Sequence, residues 1–460
     1  MALSAEVPAQ ASGDLEGVQR SVVIVGGGQA GLAMSYCLTQ RGVEHLVLER
    51  DRIGHEWRDR RWDSFCLVTP NWQCQLPGFP YPGDDSNGFM EREEIVRYVE
   101  EYAKSFSPPV IEGVSATRLR RDRKGRYLVG TSRGELIAEQ VVLATGPYQV
   151  PLIPRLGDRL PGELTQLHSS QYRNPEQLPP GEVLVVGTGQ SGCQITEDLH
   201  LARRQVHLAV GSAPRVARCY RGRDVVAWLD AVGYYRKAVE EFADVDAVRF
   251  RVNHYVTGRG GGRDIDLRAF AAQGMRLYGR LTAVTGTALR FAPDLEKNLD
   301  HADAVSESIK DSIDSYIDAH GIEAPPEPRY TPVWTPEREP TELDLGDTGI
   351  TSVIWGTGFG RDDRWIEVPV FDGRGYPTHG RGVTSSPGLY FLGLPWQHTW
   401  GSGRLSGVAQ DAAYLAERIT TERITNARIT PSEHLFRWIA GTSTNTYPRD
   451  DEWVAPRTVA

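Results

Sequence analysis

The amino-acid sequence predicts an α/β fold, and two observations carry that prediction. A glycine-rich G-x-G-x-x-G segment occurs twice, at residues 26–31 and at residues 187–192. Each copy directly follows a short apolar run and precedes a stretch with the composition of a helix. The dinucleotide-binding fingerprint requires this strand–turn–helix context, because its glycines permit a tight turn and bring the backbone close to a pyrophosphate. Two copies in the right context therefore predict two Rossmann-like dinucleotide-binding domains.

The first unit begins at the apolar run 21–25, which has the composition of a buried parallel strand. The residues of its fingerprint that we expect at the cofactor are Gly26, Gly28, Gln29, Ala30 and Gly31. A helix predicted over residues 32–40 leads to a second strand at 45–48, and Glu49 follows that strand. A carboxylate there accepts hydrogen bonds from ribose hydroxyls and repels a 2′-phosphate. We therefore expect FAD or NAD at this site, with Arg50 beside Glu49.

The second unit lacks such a carboxylate. The strand 183–186 leads into its fingerprint, whose expected cofactor contacts are Gly187, Gly189, Gln190, Ser191 and Gly192. The next strand, 206–210, is followed by Ser212 and by no acidic residue. Six arginines lie close by in sequence: Arg203, Arg204, Arg215, Arg218, Arg221 and Arg223. Because guanidinium groups pair well with phosphates, we expect NADPH here, bound by Ser212, Arg215 and Arg218. We expect at least three of the six arginines to be only solvated surface.

Two further strands end in similar turns. Residues 139–146 form an apolar run that closes on an Ala-Thr-Gly turn, and residues 351–358 close on Gly-Thr-Gly. Thr145 and Gly146, in the first of these turns, are expected to lie beside the first cofactor. The pair predicts two crossings of the chain between a discontinuous first domain and an inserted second domain.

The predicted domain bounds follow from these crossings. They are a flexible N-terminal tail at 1–20, an FAD-binding domain at 21–160 and 346–440, an NADPH-binding domain at 161–345, and a C-terminal tail at 441–460. Residues 231–345 form a predicted helical insertion within the second domain. There, apolar residues from Leu295 to Ile317 recur at steps of three and four, which predicts a long amphipathic helix. We expect this helix to cover the second domain, with a substrate lid or a dimer face as alternatives.

Composition excludes several classes of protein. The chain has 460 residues, of which 40% are hydrophobic and 24% charged, a normal globular balance for two or three domains. The net charge of -9 argues against a general nucleic-acid binder. No run reaches the roughly 18 apolar residues of a membrane span, and the N-terminus lacks the order of a signal peptide, so we predict a cytoplasmic enzyme. The five cysteines form no C-x-x-C pair, which disfavours a disulfide framework or a zinc site, and no metal is predicted.

The order of these segments over about residues 21–419 resembles the class B flavin monooxygenases: flavin-containing monooxygenases, plant YUCCA-type enzymes and Baeyer–Villiger monooxygenases. Trp57 and Arg58, together with residues 67–82, are similar to the family's flavin-flanking segment. Residues 388–393 are similar to the late strand that closes over the isoalloxazine in such flavoproteins. The resemblance implies FAD at the first site, with Trp57 among its contacts, and NADPH at the second.

The family's Phe-x-Gly-x3-His-x3-Tyr/Trp pattern has a partial counterpart just before the second fingerprint. Leu160 stands in place of the phenylalanine, and five residues rather than three separate Gly162 from His168. His168 and Tyr172 keep their mutual spacing, and Tyr172 stands where Baeyer–Villiger enzymes usually carry Trp. The pattern therefore resembles the N- and S-oxygenating branch more. His168 is a candidate catalytic residue that we expect to organise the hinge and the coenzyme rather than to transfer a proton.

The resemblance implies an enzyme that inserts one oxygen atom from O2 into a small organic substrate, through a C4a-(hydro)peroxyflavin formed after NADPH reduces FAD. The cofactors carry this chemistry, so the protein has chiefly to exclude water. N- or S-oxygenation is favoured. Baeyer–Villiger oxidation of a ketone or aldehyde, and an NADPH oxidase that releases H2O2, are the alternatives. The implied partners are a small molecule and O2, with no nucleic acid and no membrane, and a homodimer is left open.

Two segments supply the remaining candidate site residues. We expect Asn71 to make a polar contact near the reacting centre, the simpler alternative being a turn residue after Pro70. The late loop 396–404 follows a strand end, where the ligands of open α/β sheets bind. Its candidates are Trp396, His398 and Trp400 for the substrate and Arg404 for catalysis.

Two other functions of the same fold stay open. A disulfide reductase of the thioredoxin-reductase kind needs a redox-active cysteine pair, whereas Cys66 and Cys74 are eight residues apart in an apparent loop. A non-catalytic redox sensor would use the nucleotide sites to switch partner binding. Such a sensor would consume NADPH slowly or not at all with any small molecule.

Overall fold

Two β-sheets built on parallel strands organise residues 14–428, which are the residues that the computed structural model describes. In chain order the strands are β1 (Gln19–Val25), β2 (His45–Leu48), β3 (Gln75–Leu76), β4 (Phe79–Pro80), β5 (Val110–Ile111), β6 (Ala116–Arg121), β7 (Tyr127–Thr131), β8 (Gly134–Leu143), β9 (Val150–Pro151), β10 (Thr165–His168), β11 (Glu182–Val186), β12 (Val206–Ala209), β13 (Cys219–Tyr220), β14 (Arg223–Asp224), β15 (Arg276–Tyr278), β16 (Leu281–Thr285), β17 (Ala288–Phe291), β18 (Glu342–Asp344), β19 (Ile350–Trp355), β20 (Phe359–Gly360), β21 (His379–Gly380), β22 (Val383–Thr384) and β23 (Leu389–Phe391). The helices are α1 (Gln29–Thr39), α2 (His55–Arg58), α3 (Arg92–Phe106), α4 (Gln190–Leu201), α5 (Val225–Val232), α6 (Val245–Arg249), α7 (Leu267–Ala272), α8 (Leu295–His320) and α9 (Val408–Arg428). The chain divides into two units after Ala416, within α9, and both sheets belong to the first unit.

The first sheet places β1 between β2 and β8, and both pairings are parallel. Val25, at the end of β1, lies opposite Leu48 of β2 and Leu143 of β8. β23 extends the sheet in parallel beyond β8, while β6 and β7 add antiparallel strands to β8. All four residues of β2 are buried, because a central parallel strand is covered on both faces.

The second sheet has the strand order β10-β19-β11-β12-β15, and each neighbouring pair is parallel. Val186, at the end of β11, lies opposite Ala209 of β12 and Trp355 of β19. The predicted β-α-β units are therefore present, as β1–α1–β2 and as β11–α4–β12. The mixed α/β class is confirmed, and the carboxyl ends of both central strands meet a glycine turn.

The predicted insertion at 231–345 contains more than helices. The long amphipathic helix is confirmed as α8, which buries Leu295, Leu299, Ile313 and Ile317 along one face. However, β15 belongs to the second sheet, and β16, β17 and β18 form a separate antiparallel sheet. These strands are three to five residues long, too short to show a clear alternation in sequence.

The domain bounds stay a prediction. β1 begins at Gln19 and so includes the last two residues of the predicted N-terminal tail. The predicted C-terminal tail and residues 1–13 lie outside the described residues. The crossing segments meet where β9 pairs antiparallel with β20, so that Pro151 lies opposite Phe359.

Candidate functional site

The three fingerprint glycines of the first unit have different surroundings. Gly26 has φ +107°, and a Cβ atom there would lie 2.5 Å from the carbonyl oxygen of Ala144. A Cβ atom on Gly31 would lie 1.8 Å from the oxygen of Gly26. By contrast, a Cβ atom on Gly28 would meet no heavy atom within 4 Å. Two of these glycines thus pack backbone against backbone, and Gly28 faces open space where a ligand can approach.

The second fingerprint repeats this arrangement. Gly187 has φ +101°, and its added Cβ would lie 2.8 Å from the oxygen of Gly356. An added Cβ on Gly192 would lie 2.0 Å from the oxygen of Gly187, whereas on Gly189 it would meet nothing within 4 Å. The middle glycine is therefore open in both units. This is the local geometry that a dinucleotide pyrophosphate requires, so the residues present fit such a ligand at both sites.

Both fingerprints lead into a helix N-terminus without a capping side chain. α1 begins at Gln29 after Gly28, and α4 begins at Gln190 after its own fingerprint glycine. Ala30 and Ser191 follow in the first turns. The free backbone N–H groups and the positive end of the helix dipole can hold phosphate at each position. The sequence-predicted fingerprint residues are thus brought together as expected.

Glu49 lies directly beside the first fingerprint. Its Oε2 atom accepts a hydrogen bond of 2.6 Å from the Gly27 N–H, and its Oε1 atom accepts one of 2.9 Å from the backbone N–H of Asp51. The carboxylate is thereby fixed at the end of β2, where a ribose would lie. Arg50 instead pairs with Asp51 and Glu56, and its side chain is 49% exposed. The Glu49 side chain therefore lies against the first fingerprint, whereas Arg50 pairs with carboxylates outside it.

The two crossing turns lie against the two fingerprints. The first carries Thr145, whose hydroxyl accepts a hydrogen bond of 3.1 Å from Gln149 Nε2. Gly146 has φ +68° and Gly358, in the second turn, has φ +85°. An added Cβ on either glycine would meet nothing within 4 Å. Both turns therefore leave open space beside a fingerprint.

His168 is fully buried and holds the second turn. Its Nε2–H donates to the Gly358 oxygen over 2.9 Å, and its Nδ1 atom accepts from the Ser170 N–H over 3.2 Å. These contacts define the neutral imidazole, and burial lowers its pKa. Since both ring nitrogens are occupied by other groups, the ring acts by positioning the backbone.

Tyr172 leads to a buried carboxylate that the sequence did not reveal. Its hydroxyl donates to Asp198 Oδ2 over 2.7 Å. Ser64 donates to Asp198 Oδ1 over 2.6 Å, and Arg259 forms an ion pair of 2.7 Å with the same atom. Asp198 lies on α4 and joins residues from three distant stretches of the chain. The sequence showed only an acidic residue within a helix that is otherwise largely buried. Nothing in it pointed to the partners of that residue.

The flavin-flanking candidates Asn71 and Trp57 have different settings. Asn71 is buried, its Nδ2 group donates to the Asp85 oxygen, and its Oδ1 atom accepts from the Met90 N–H, each over 2.9 Å. Both ends of this amide therefore serve the local backbone, and the geometry favours the structural role over a contact with reacting atoms. Trp57 packs under the Arg61 guanidinium, whose carbon lies 5.2 Å from the ring centre.

The predicted phosphate contacts of the second site are already neutralised. Arg215 and Arg218 are each only 3% exposed. Arg215 pairs with Asp303 and Arg218 pairs with Asp224, in both cases over 2.6 Å. Ser212 is exposed at the expected place. This arrangement argues against a direct contact of either guanidinium with a coenzyme phosphate, because each positive charge is compensated within the protein.

The late loop is fixed against the first fingerprint. Gln29 Nε2 donates to the Gly403 oxygen over 2.7 Å. The neighbouring Ser402 hydroxyl lies 2.5 Å from Asp411 Oδ2, and it accepts hydrogen bonds from the N–H groups of His398 and Thr399. Burial raises the pKa of Asp411. The hydrogen bond from Gln29 thus holds Gly403 of this loop against the start of α1.

An aromatic cluster forms between the late loop and the segment after α5. The Trp396 ring lies 5.3 Å from Phe242 and 6.2 Å from Tyr234, and the Trp400 ring lies 4.6 Å from Tyr235. We name these five side chains the aromatic cluster. Its two tyrosines were missed in the sequence, because more than a hundred residues separate them from the tryptophans and no local pattern connects the two segments.

Arg404 lies at the edge of the aromatic cluster. Its guanidinium carbon is 4.0 Å from the centre of the Trp400 ring. It donates to the Trp400 carbonyl oxygen and, over 3.1 Å, to Asn253 Oδ1. Within residues 14–428, both oxygens that accept from its guanidinium are neutral. Desolvation of the guanidinium lowers its pKa, although part of the side chain stays exposed.

The cysteines are all free thiols. Burial raises the pKa of Cys66 and of Cys74 to about 12, so neither is a reactive thiolate at neutral pH. In the part of the chain that the structure describes, no three His, Cys, Asp or Glu side chains converge as metal ligands. No helix within those same residues is both long and apolar enough to cross a membrane.

Three comparisons with known proteins bear on the family and the fold of this chain. A family model described as pyridine nucleotide-disulphide oxidoreductase matches residues 23–258. A relative from Geobacillus kaustophilus (strain HTA426), described as an uncharacterised CzcO-like oxidoreductase, is 33% identical over 86% of this chain and 97% of its own length. Indole-3-pyruvate monooxygenase YUCCA1 from Oryza sativa subsp. japonica is 35% identical over 38% of this chain and 44% of its own.

A solved flavin-containing monooxygenase from Stenotrophomonas maltophilia shares the fold. The TM-score is 0.61, the alignment covers 88% of this chain and 99% of the other, and 20% of residues are identical. The chain is an enzyme of the pyridine nucleotide-disulphide oxidoreductase family.

Proposed function

We propose that the protein is an FAD- and NADPH-dependent monooxygenase that transfers one oxygen atom of O2 to a small organic substrate, with N- or S-oxygenation favoured. The observation that carries this proposal is the doubled fingerprint. In each copy two glycines pack against backbone and the middle one faces open space. Two dinucleotide sites in one chain fit a reaction in which a nicotinamide coenzyme reduces a flavin.

Each cofactor has its own set of binding residues in this proposal. The backbone at Gly28, the N-terminus of α1 and the Glu49 carboxylate would hold FAD. The backbone at Gly189 and the N-terminus of α4 would hold NADPH. When bound, the two cofactors would supply the reduction of the flavin by the nicotinamide coenzyme and the activation of O2.

The protein contributes orientation and the exclusion of water. Ser402 and Asp411 hold the late loop closed beside the first site, and the aromatic cluster supplies an apolar wall there. Transfer to a nitrogen or sulfur atom needs no side chain that delivers a proton. This requirement agrees with His168, whose ring is neutral and engaged by backbone groups on both nitrogens.

A disulfide reductase fits the structure less well. That reaction needs a pair of cysteines that can form a disulfide next to the flavin. All five cysteines are free, and four of them are buried. Baeyer–Villiger oxidation and an NADPH oxidase use the same cofactors, so the products of turnover have to distinguish them.

The test is the stoichiometry of turnover by the FAD-loaded enzyme. Monooxygenation consumes NADPH, H⁺, O2 and substrate and forms NADP⁺, water and the oxygenated product in equal amounts. We expect NADPH consumption to match product when amines and sulfides are screened, with 18O from labelled O2 in the product. If H2O2 matches NADPH with every substrate and no product forms, the enzyme is an oxidase. An ester formed from a ketone would instead establish Baeyer–Villiger oxidation.

A further inference from the structure

We propose that Asp198 is a positioning residue: through its hydrogen bond with Ser64 it holds the helix of the second fingerprint in a fixed place relative to the first fingerprint. This inference rests on the proposed function, because it requires NADPH and FAD at the two fingerprints. The role concerns the distance and the angle at which the two cofactors meet, and not the affinity with which either one binds.

Asp198 lies on the helix whose N-terminus would hold the coenzyme. α4 begins at Gln190, and Asp198 follows about two turns and 12 Å further along its axis. The side chain of Asp198 is buried, and its two oxygens accept hydrogen bonds from three donors. These donors are Ser64, Tyr172 and Arg259, at 2.6, 2.7 and 2.7 Å. A carboxylate held by three donors has little freedom to move, so Asp198 is a fixed point on α4.

A second contact fixes the rotation of α4 as well as its position. Gln194 lies one turn before Asp198 on the same face of the helix. Its Nε2 group donates to the Cys66 oxygen over 3.2 Å. Ser64 and Cys66 both belong to the segment 62–68. α4 therefore meets this segment at two points, and neither point alone would define the angle between the helix and the segment.

The segment 62–68 is in turn tied to the helix of the first fingerprint. The Phe65 oxygen accepts a hydrogen bond of 2.9 Å from the Arg92 N–H, which holds the segment at the start of α3. α3 packs against α1, where the Tyr102 ring lies 5.9 Å from the Tyr36 ring. The segment is therefore connected to α1 on one side and to α4 on the other.

The placement of α4 matters because the reduction of the flavin depends on geometry. NADPH gives a hydride to FAD, so NADPH is oxidised and FAD is reduced, and a displacement of about 1 Å can slow such a step about 100-fold. Loss of the Ser64 hydroxyl would keep the Gln194 contact and let α4 turn about it. The fingerprint and the N-terminus of α4 would stay intact. We therefore expect the coenzyme still to bind, but at a poorer distance and angle to the flavin.

The experiment compares wild type with Ser64→Ala, and its first readout involves no turnover. NADP⁺ is titrated into the FAD-loaded, oxidised proteins while calorimetry gives the Kd and the visible absorbance of the flavin is followed. We expect the Kd of the variant to stay within about 2-fold of wild type, with a smaller change in flavin absorbance at saturation. The second readout is the anaerobic reduction of the flavin by saturating NADPH, which should be about 10-fold or more slower in the variant.

Three further variants make the result specific. Ser64→Thr keeps the hydroxyl and should match wild type in both readouts. Glu197→Gln alters the neighbouring buried carboxylate of α4, which pairs with Arg263 over 2.9 Å, and should leave both readouts unchanged. Asp198→Ala removes the acceptor of all three donors and should slow the reduction of the flavin at least as much as Ser64→Ala does.

Several outcomes would overturn the proposal. One is a Ser64→Ala protein that matches wild type in both readouts, and another is a Glu197→Gln protein with the same defect. A third is a raised Kd for NADP⁺ in Ser64→Ala with an unchanged rate of reduction at saturation, which would show a role in affinity instead. None of these results bears on the fate of O2, so the stoichiometry of turnover tests the proposed function separately. A wild-type flavin that NADPH does not reduce would refute the proposed function, and this proposal with it.

Discussion

The Nε2–H group of His168 donates a hydrogen bond of 2.9 Å to the carbonyl oxygen of Gly358, 190 residues further along the chain. The bond joins the end of β10 to the turn after β19, and these two strands are parallel neighbours. Phe359 covers the imidazole with its ring centre 4.7 Å away. His168 therefore fixes the point at which the chain leaves the second sheet.

Replacing His168 by alanine should weaken both the fold and coenzyme binding. The variant leaves the Gly358 oxygen and the Ser170 N–H without this partner and opens a cavity. We expect the free energy of unfolding to fall by about 2–4 kcal/mol and the KM for NADPH to rise. The pH profile of kcat should keep its shape, because the ring is neutral in the wild type. A kcat titration that disappears in the variant would instead show proton transfer by His168.

Stability should fall in mild acid because of buried histidines. Burial lowers the pKa of five of them in the described chain: His45, His168, His207, His254 and His379. For His254 and His379 the pKa is lowered to about 4. The unfolded chain therefore takes up protons first, so this stability is complete above about pH 6.5 and is lost as the pH falls toward 4.

Urea denaturation of the FAD-loaded protein at pH 7.5, 6 and 5 checks this pH dependence. The midpoint should decrease at each step, and His254→Gln should make the decrease shallower by removing one of the shifted groups. A midpoint that is constant between pH 7.5 and 5 would contradict the expectation.

The open middle glycines of the two fingerprints predict two different binding defects, one for FAD and one for NADPH. Gly28 has φ -75° and Gly189 has φ -62°, both of which alanine adopts without strain. Gly28→Ala should fold and lack most of its FAD, because the new methyl group occupies the approach of the pyrophosphate. Gly189→Ala should keep its FAD and show a KM for NADPH raised about 10-fold or more, through loss of charge-assisted hydrogen bonds.

Gly26→Ala is the matched comparison for the same fingerprint. Its φ of +107° and the 2.5 Å approach to Ala144 should make this variant unstable rather than selectively defective. Flavin content from absorbance and KM for NADPH separate the three cases. A Gly28→Ala protein with full flavin content would refute the assignment of the first site.

The hydrogen bonds around Ser402 should matter for catalysis more than for flavin content. Ser402→Ala leaves Asp411 without its hydroxyl donor and frees two backbone N–H groups, which costs about 1–3 kcal/mol. We expect a lower kcat/KM for substrate and a larger share of NADPH lost as H2O2, because the late loop closes less firmly. Ser312→Ala, an exposed serine bonded to its own helix, should change neither.

Replacing Arg215, which pairs with Asp303, distinguishes a structural role of this arginine from a role in binding the coenzyme. Arg215→Ala leaves the Asp303 carboxylate with one guanidinium fewer and should lower the free energy of unfolding by about 3 kcal/mol. The ratio of kcat/KM for NADPH to that for NADH should stay at the wild-type value. If Arg215→Ala, and also the milder Arg215→Lys, lost activity with NADPH but not with NADH, the result would show that Arg215 contacts the 2′-phosphate of the coenzyme.

The features that the sequence predicted are local in the chain. Gly26 and Glu49 belong to one β-α-β unit, whose glycine spacing and apolar strands lie within about thirty residues. The partners of Arg215 and Trp400 could not be predicted in this way. Asp303 meets Arg215, and Tyr235 meets Trp400, only through tertiary packing. Such packing leaves no periodic pattern in the sequence. The clustering of arginines in the sequence therefore indicated a phosphate site. In the fold, however, Arg215 and Arg218 pair with carboxylates of the protein itself.

The antiparallel pair β9–β20 holds together the two ends of the long segment between its strands. Pro151 and Phe359 lie opposite each other, so their Cα atoms are about 5 Å apart, although some two hundred residues separate them. As a polymer, the intervening segment is a loop whose ends are already closed. The entropy of closing such a loop grows only with the logarithm of its length. Evolution could therefore lengthen, trim or exchange this segment at little thermodynamic cost to the first sheet, and the same junction is a natural place to graft the segment of a relative.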